Sequence, residues 1–242
     1  MRFQASEFEF RNRFWFIAAI FAIAFSLYAV DPTPALVALA DIFSRHANLH
    51  SVQYDHWIRG ILIAATLLNV LAASIRTWAA AYLHSSVIHD AALHSDQLVA
   101  DGPYRHLRNP LYLGTMIVSI GIGVLTCRTG FLFLAVANVL FNYRLILREE
   151  ANLLQSQGDN YRRYLNTVPR LIPSLTPRVP AGGGKPDWRD GFTGELFFWS
   201  FAAAMAAFAA TERLRYYWII LCTGFAIYFL QNYLRWRRKS AA

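Results

Sequence analysis

The sequence predicts an all-α, polytopic integral membrane protein with about six transmembrane helices and a cofactor site on its cytosolic face. Hydrophobic residues make up 56% of the chain and charged residues only 16%, whereas soluble domains carry roughly 25% charged residues. Arginines flank long apolar stretches and do not form one polar stripe, which is how charge is distributed at membrane edges. This composition excludes a disordered chain and a disulfide scaffold, and it disfavours nucleic acid as a partner.

Six apolar stretches approach the roughly 20 residues that cross the hydrocarbon of a bilayer. The first follows Arg11 and Arg13 but has no small-residue cleavage site after Val30, which indicates an anchor and not a signal peptide. Asn138 and Asn142 lie inside the fourth stretch and are predicted to face other helices. The predicted spans are Phe14–Val30, Ile58–Leu83, Leu111–Thr126, Phe131–Leu147, Leu196–Ala210 and Tyr216–Leu234.

The basic residues predict the orientation. The six spans place 17 of the 23 Lys and Arg residues on one side and 5 on the other, and Arg76 stays inside a span. By the positive-inside rule, both termini and the long polar segments 84–110 and 148–194 are cytosolic, in the cytoplasmic (inner) membrane. The turn at Cys127 is then predicted to lie outside, and Cys222 is predicted to be buried in the last span.

A first motif precedes the third predicted span. Gly-Pro and Asn-Pro pairs bracket a short rigid stretch, and Pro110 is suited to the first turn of a helix. The rings of Tyr104 and Tyr112 are therefore held at the membrane surface. Taken alone, these residues also suit an interfacial aromatic belt and topology charges. The motif consists of Gly102-Pro103-Tyr104-Arg105 and Arg108-Asn109-Pro110-Leu111-Tyr112-Leu113-Gly114.

A second motif follows the fourth predicted span. Arg144 and Arg148 share a helix face by their i, i+4 spacing, next to two adjacent carboxylates. A salt-bridged helix end accounts for this cluster equally well when it is taken alone. The motif consists of Glu149-Glu150-x-x-Leu153, Gly158-x-x-Tyr161-x-x-Tyr164 and Val168-Pro169-Arg170.

In this order the two motifs resemble the membrane methyltransferases typified by isoprenylcysteine carboxyl methyltransferase and its phospholipid-methylating relatives, over roughly residues 70–175. One departure is Arg108-Asn109-Pro110, where eukaryotic members typically have Arg-His-Pro. The resemblance implies S-adenosylmethionine as cofactor and a lipidic or amphipathic methyl acceptor from the bilayer. No G-x-G-x-x-G motif follows a strand, so a soluble nucleotide-binding fold is not indicated.

The resemblance also implies the site residues. A metal site is not expected, since the histidines form no H-E-x-x-H pattern. The implied cofactor contacts are His89, Asp96, Gln97, Leu98, Val99, Gly102, Tyr104, His106, Asn109, Pro110, Leu111, Tyr112 and Glu149. The candidate catalytic residues are Arg144, Arg148, Glu149 and Glu150.

Two chemistries stay open at this point. A carboxylate acceptor needs an arginine such as Arg144 or Arg148 for orientation, whereas an amine or hydroxyl acceptor needs a base such as Glu149 or Glu150. Two other classes are also considered, an NADPH-dependent membrane reductase of the sterol or steroid kind and a non-enzymatic membrane protein. Binding of S-adenosylmethionine but not of NADPH separates them.

The predicted organisation has four parts. Pro180 to Pro186 is rich in glycine and proline, which is typical of a linker. The parts are N-terminal transmembrane helices (1–83), a methyltransferase core with a helical hairpin (84–178), a linker (179–194) and a C-terminal helix pair (195–242).

Overall fold

A computed structural model describes residues 3–44, 52–89 and 100–240. Within these ranges the regular elements are helices, together with one isolated backbone bridge between Pro34 and Cys127. Short 3-10 helices cover Leu27–Ala29 and Gly102–Arg105. The α-helices are α1 (Glu7–Arg11), α2 (Arg13–Ser26), α3 (Ala35–Ser44), α4 (Val52–His89), α5 (Pro110–Gly123), α6 (Arg128–Thr167), α7 (Trp188–Gly194), α8 (Leu196–Thr211) and α9 (Leu214–Ser240).

The described part of the chain has two helices that are long and apolar enough to cross a membrane, Gln53–Leu83 and Arg128–Thr167. Helices α7 and α8 meet at an angle of 65° and count as a third span if the bent pair crosses as one unit. The all-helical class is therefore confirmed, and the number of six spans is not. Predicted spans two and four lie inside the two long helices.

Three of the apolar helices are too short to meet this criterion. Arg13–Ala29, Ala35–Ser44 and Pro110–Gly123 each contain 10 to 17 residues. At 1.5 Å per residue, the 14 residues of α5 extend only about 21 Å, less than the roughly 30 Å of hydrocarbon. The third predicted span is thus a shorter helix than the hydropathy pattern indicated, and the first is the 14-residue α2 followed by the 3-10 helix Leu27–Ala29.

Helix α4 is the centre of the bundle. Helices α3, α5, α7 and α8 pack against it, α9 packs on α8, and α6 packs on α5 and α2. Gly121 of α5 lies against the Asn69 side chain and the Ala65 carbonyl of α4, where a Cβ atom would have no room. Small residues at such contacts let helix backbones approach closely, as in other membrane bundles.

Paired charges close the end of the bundle that is opposite the two motifs. Arg59 of α4 meets Glu212 at 2.7 Å, and Arg128 meets Asp31 at 3.3 Å. Asp31 also accepts a hydrogen bond from the Thr129 backbone N–H in the first turn of α6. Each acidic residue thus offsets one of the few arginines at this end.

The two cysteines differ in their burial within the protein. Cys127 is buried and Cys222 is exposed. The Cys127 sulfur accepts a hydrogen bond from the Gly130 N–H at 3.2 Å, because Cys127 is the residue that caps α6. That the Cys127 turn lies outside the cell and that Cys222 lies within a membrane span both stay predictions.

An ion pair ties the C-terminal helices to α4 and α5. The Arg76 guanidinium donates to both oxygens of Glu195, at 2.6 and 3.1 Å. It also donates to the Leu111 carbonyl and the Thr115 hydroxyl, both at 2.8 Å, and it lies 3.7 Å from the centre of the Phe198 ring. Arg76 therefore joins three helices inside the bundle.

The segment predicted as a linker is fastened at several points. The Asp101 carboxylate accepts hydrogen bonds from the N–H groups of Gly182 and Gly184, at 2.8 and 2.7 Å. The Asp187 N–H donates to the Ala81 carbonyl of α4 at 3.0 Å, and Asp187 then caps α7. This segment thus runs beside the first motif and contains a helix of its own.

Candidate active site

Backbone hydrogen bonds bring the two motifs side by side. After α6 the chain turns back along the segment that precedes α5, and the Arg108 N–H donates to the Pro169 carbonyl at 2.9 Å. The Ser174 N–H donates to the His106 carbonyl at 3.0 Å. These bonds fix the start of α5 against the loop after α6, although some 60 residues separate the two segments.

Glu150 is the centre of a buried charge network. Its carboxylate accepts from Arg108 at 3.0 Å, from the Asn109 amide at 3.2 Å and from Arg170 at 2.7 Å. The side chains of Glu150 and Arg108 are each only 7% exposed. Arg108 also donates to the carbonyls of Leu165 and Val168. Because a buried charge is costly unless it is paired, these bonds hold both motifs in a single arrangement.

Arg170 is the second cation of this network. Its guanidinium also donates to the Tyr143 hydroxyl at 2.7 Å. The hydrogen bond with Glu150 raises the pKa of Arg170 above its usual value. Arg170 is therefore charged, and it shares the single carboxylate of Glu150 with Arg108.

A cleft of about 200 Å³ opens beside this network. Burial, and next the negative charge of Glu149, raise the pKa of the Tyr104 phenol, which is therefore neutral at physiological pH. The Tyr164 hydroxyl donates to the Tyr104 carbonyl at 2.8 Å and holds that ring in place. The lining residues are Leu83, Tyr104, Arg108, Asn109, Pro110, Leu111, Tyr112, Glu149, Leu153, Gln157, Tyr161 and Tyr164.

Glu149 supplies the carboxylate of the cleft. One of its oxygens accepts a hydrogen bond from the Tyr112 hydroxyl at 2.7 Å. Unlike Glu150, it forms no ion pair within the described residues. A carboxylate in such a position attracts a positively charged group of a ligand.

Six of the predicted site residues line the cleft, namely Tyr104, Asn109, Pro110, Leu111, Tyr112 and Glu149. Gly102 and His106 do not line it. Gly102 packs on the Tyr82 ring, and the Nδ1 atom of His106 lies 2.8 Å from the Ser174 carbonyl oxygen. Asp96, Gln97, Leu98 and Val99 lie outside the described residues, as does the side chain of His89.

Arg144 and Arg148 have different surroundings. Arg144 donates to both oxygens of Glu9, at 2.7 and 2.9 Å, which fastens the N-terminal segment to α6. The Ser6 backbone N–H, and also Arg144, hold the pKa of Glu9 below its usual value. The Nε atom of Arg148 is shielded from solvent and finds no partner within the described residues. Neither arginine lines the cleft.

Sequence reasoning missed six residues that line the cleft, namely Leu83, Arg108, Leu153, Gln157, Tyr161 and Tyr164. Leu153 and Gln157 could have been inferred together. Both follow Glu149 at intervals of four residues, which is the spacing of one helix face. The amide oxygen of Gln157 is shielded from solvent and has no hydrogen-bond partner among the described residues. The i, i+4, i+8 spacing from Glu149 was the signal available in the sequence.

The cleft suits a flat organic ligand that carries a positive charge. Tyrosine rings offer an aromatic surface, Glu149 offers a negative charge, and Gln157 offers an unused hydrogen-bond acceptor. These features fit an adenosyl cofactor with a cationic amino-acid end. The described residues contain no group of three or more side chains that could hold a metal ion.

The fold and the cleft together define a class, a helical membrane-type protein with a cleft built from two polar segments at the helix ends. The family model described as phospholipid methyltransferase matches residues 61–158, a segment that contains most of the cleft. The match is to the group of methyltransferases that the sequence motifs resemble.

Curated relatives match a similar part of the chain. The nickel-cobalt-cadmium resistance protein NccN of Alcaligenes xylosoxydans xylosoxydans is 31% identical over 52% of this chain and 57% of its own length. The cobalt-zinc-cadmium resistance protein CzcN of Cupriavidus metallidurans is 28% identical over 52% of this chain and 56% of its own length. The chain thus matches a little over half the length of these relatives.

A third relative supports the resemblance noted in the sequence. The protein-S-isoprenylcysteine O-methyltransferase of Schizosaccharomyces pombe is 38% identical over 80 residues, which are 32% of this chain and 34% of that protein. No solved structure matches the chain.

Proposed function

We propose that this protein is an integral membrane methyltransferase that uses S-adenosylmethionine and methylates a lipidic or amphipathic acceptor. The observation that carries the proposal is the cleft in which Tyr104, Asn109, Tyr112 and Glu149 meet from two distant motifs. The family match over residues 61–158 and the isoprenylcysteine methyltransferase relative support it. They do not favour the reductase alternative.

Each part of the site has a role in this proposal. S-adenosylmethionine supplies an electrophilic methyl group when it is bound. Glu149 attracts the cationic end of the cofactor, and the buried tyrosines cover it and exclude water. The Glu150 network keeps Asn109 and the first turn of α5 in position. The protein thus accelerates transfer mainly by aligning the two reactants.

The acceptor approaches from the membrane side in this proposal. The exposed surface of α2, α4 and α6 carries large apolar side chains such as Trp15, Leu67 and Leu132, which suits contact with lipid tails. Arg148 is our candidate to orient an anionic headgroup, since Arg144 is paired with Glu9. A base role for Glu149 suits an amine or hydroxyl acceptor instead.

Orientation is part of the proposal. The arginines of the site and of the second half of α6 lie at one end of the bundle, and the positive-inside rule places this end and both termini in the cytosol. S-adenosylmethionine would then enter from the cytosol and the acceptor from the cytoplasmic membrane. Two relatives are named as metal-resistance proteins, and we draw no metal substrate from those names.

Two measurements test the function. Purified protein in detergent should bind S-adenosylmethionine and should not bind NADPH. Membranes that contain the protein should transfer labelled methyl from S-adenosylmethionine into an organic-extractable product, and membranes with Glu149→Gln should transfer much less. Binding of NADPH alone, or label confined to a small water-soluble product, would overturn the proposal.

The product identifies the acceptor. A methyl ester releases volatile methanol in mild base and would support a carboxylate acceptor oriented by an arginine. A base-stable product would indicate an amine or carbon acceptor and would favour Glu149 as the base.

A further inference from the structure

Gln157 differs from the other polar residues of the cleft. Asn109, Tyr112 and Tyr164 are each bonded to protein groups, at distances between 2.7 and 3.2 Å. The amide oxygen of Gln157 is shielded from solvent, yet it accepts no hydrogen bond from any described residue. A shielded acceptor without a partner is unfavourable. Because Gln157 is a residue of the cleft wall, a rotation of its amide would turn this oxygen toward a donor of a bound ligand.

The position of Gln157 on α6 limits which part of the ligand it can meet. Glu149, Leu153 and Gln157 follow one another at intervals of four residues and all line the cleft. Eight residues of α-helix separate Glu149 from Gln157 by about 12 Å along the axis. Glu149 marks the end of the cleft that attracts a cation, so Gln157 marks the far end.

The surroundings of Gln157 are aromatic. Tyr161 and Tyr164 line the cleft just beyond it, with ring centres 5.8 Å apart, and both are buried. Aromatic surface of this kind suits a flat base, and glutamine is one of the two side chains whose amide matches the hydrogen-bonding edge of adenine. The exocyclic amino group of adenine is the donor that the Gln157 oxygen lacks.

We propose that Gln157 determines the base specificity of the cofactor site, by accepting a hydrogen bond from the 6-amino group of adenine. This inference rests on the proposed use of S-adenosylmethionine. It places the amino-acid end of the cofactor at Glu149 and the base at Gln157, so the cofactor lies along α6.

The test uses calorimetric titration of the full chain in detergent with two probes. One is S-adenosylhomocysteine, and the other is its analogue with unsubstituted purine, which lacks only the 6-amino group. The wild type should bind the analogue about three- to tenfold more weakly, the range expected for one neutral hydrogen bond. Gln157→Leu should bind both probes equally, because the partner of the amino group is gone. Gln155→Leu, an exposed glutamine on the same turn of α6, should behave as the wild type.

Each other outcome has a definite meaning. If Gln157→Leu weakens both probes by the same factor, the glutamine contacts a ribose hydroxyl or acts on packing, and base reading is overturned. If it binds both probes with wild-type affinity, Gln157 does not contact the ligand, and the proposal is overturned as well. If the leucine variant fails to fold, Gln157→Asn is used instead. Its shorter side chain withdraws the amide oxygen by one methylene group, so this variant should lose the preference for S-adenosylhomocysteine over the analogue. A wild type that binds neither probe would overturn the proposed function itself.

Discussion

Two adjacent carboxylates at the end of the hydrophobic part of α6 have different roles. Glu150 points into the network of Arg108, Asn109 and Arg170, whereas Glu149 points into the cleft and is bonded to Tyr112. Neighbouring residues on a helix are about 100° apart around its axis, so they face different surroundings. Glu150 therefore holds the two motifs together, and Glu149 is the carboxylate that we propose meets a ligand.

Substitutions at these two positions should separate stability from binding. Glu150→Gln leaves the buried guanidinium of Arg108 and the partly exposed one of Arg170 without their anion. This costs about 3–5 kcal/mol, chiefly at Arg108, and lowers the Tm on the order of 10 °C. Glu149→Gln keeps an acceptor for the Tyr112 hydroxyl, so the Tm should change little. Its affinity for S-adenosylmethionine should fall about ten- to a hundredfold with the loss of a charge-assisted contact. Thermal unfolding and titration in detergent measure both effects.

Arg163→Ala is the matched control for this pair. Arg163 is exposed on the polar part of α6 and donates only to Asn160 nearby. It should match the wild type in both measurements. Equal losses of Tm and affinity in both glutamate variants would contradict the division of roles.

At the residue scale the sequence predicted those contacts that depend on short spacing. Tyr104, Asn109 and Tyr112 lie within nine positions of one another, and rigid Gly-Pro and Asn-Pro turns hold them together. The pairing of Glu150 with Arg108 joins residues 42 positions apart and depends on how the loop after α6 folds back. Local chemistry does not determine such a pairing, so the sequence left Glu150 as a candidate base.

At the scale of elements, α6 is interrupted at Gly158, directly after Gln157. The backbone there has φ 56° and ψ −128°, a conformation that is almost restricted to glycine. No atom lies within 4 Å of the position where a Cβ would stand. Any cost of a side chain at this position therefore comes from the backbone and not from crowding.

Gly158→Ala should accordingly destabilise the protein. The strained backbone costs about 1–3 kcal/mol, and a variant that straightens α6 would move Tyr161 and Tyr164 away from the cleft. We expect a Tm lower by several degrees and weaker binding of S-adenosylhomocysteine. Gly60→Ala is the control, since Gly60 lies within α4 with open space around it and alanine is the better helix former. A Gly158→Ala protein as stable as Gly60→Ala would show that the interruption is not required.

The sequence located the helices better than it located their ends. The predicted span Leu111–Thr126 corresponds to α5, whose ends differ by one and three residues because Pro110 and the turn after Gly123 define them. The predicted span Phe131–Leu147 covers less than half of α6. Hydropathy marks only the apolar part of a helix. The polar turns beyond Leu147 are also helical, because they pack against the segment of the first motif, where the Tyr164 hydroxyl donates to the Tyr104 carbonyl.

At the scale of the whole molecule, the ends of the bundle differ in charge, and this predicts how it sits in the membrane. Because Cys127 is buried, topology is best measured with introduced cysteines in a background of Cys127→Ser and Cys222→Ser. Arg213→Cys and Lys185→Cys place thiols at exposed positions near opposite ends of α8. An impermeant thiol reagent on intact cells should label position 213 and not position 185. The reverse pattern would place the cleft outside the cell.

The number of spans was the weakest prediction from the sequence. The apolar stretch Phe14–Val30 satisfied a composition criterion, but α2 ends at Ser26 and a 3-10 helix follows it. This helix is among those too short to count as a span. Hydropathy does not distinguish an α-helix from a turn or a 3-10 segment of apolar composition. It also does not distinguish a stretch that is buried in protein from one that is buried in lipid.

The last two helices are joined to the core through Arg76 and Glu195, so the integrity of the site should depend on this pair. Both side chains are largely buried, at 15% and 9% exposure. Glu195→Ala leaves the guanidinium inside the bundle without its anion, and we expect a loss of about 3–5 kcal/mol. Arg76→Met combined with Glu195→Leu removes both charges. The Tm of this double variant should be much closer to that of the wild type than the Tm of Glu195→Ala. Breaking the surface pair with Glu212→Ala should cost at most about 1 kcal/mol, since Arg59 is 66% exposed. Thermal unfolding of the three variants measures these differences.

Because Arg76 also holds Leu111 and Thr115 of α5, Glu195→Ala should weaken cofactor binding as well, although Glu195 lies outside the cleft. A Glu195→Ala protein with unchanged Tm and binding would show that the C-terminal pair is independent of the site.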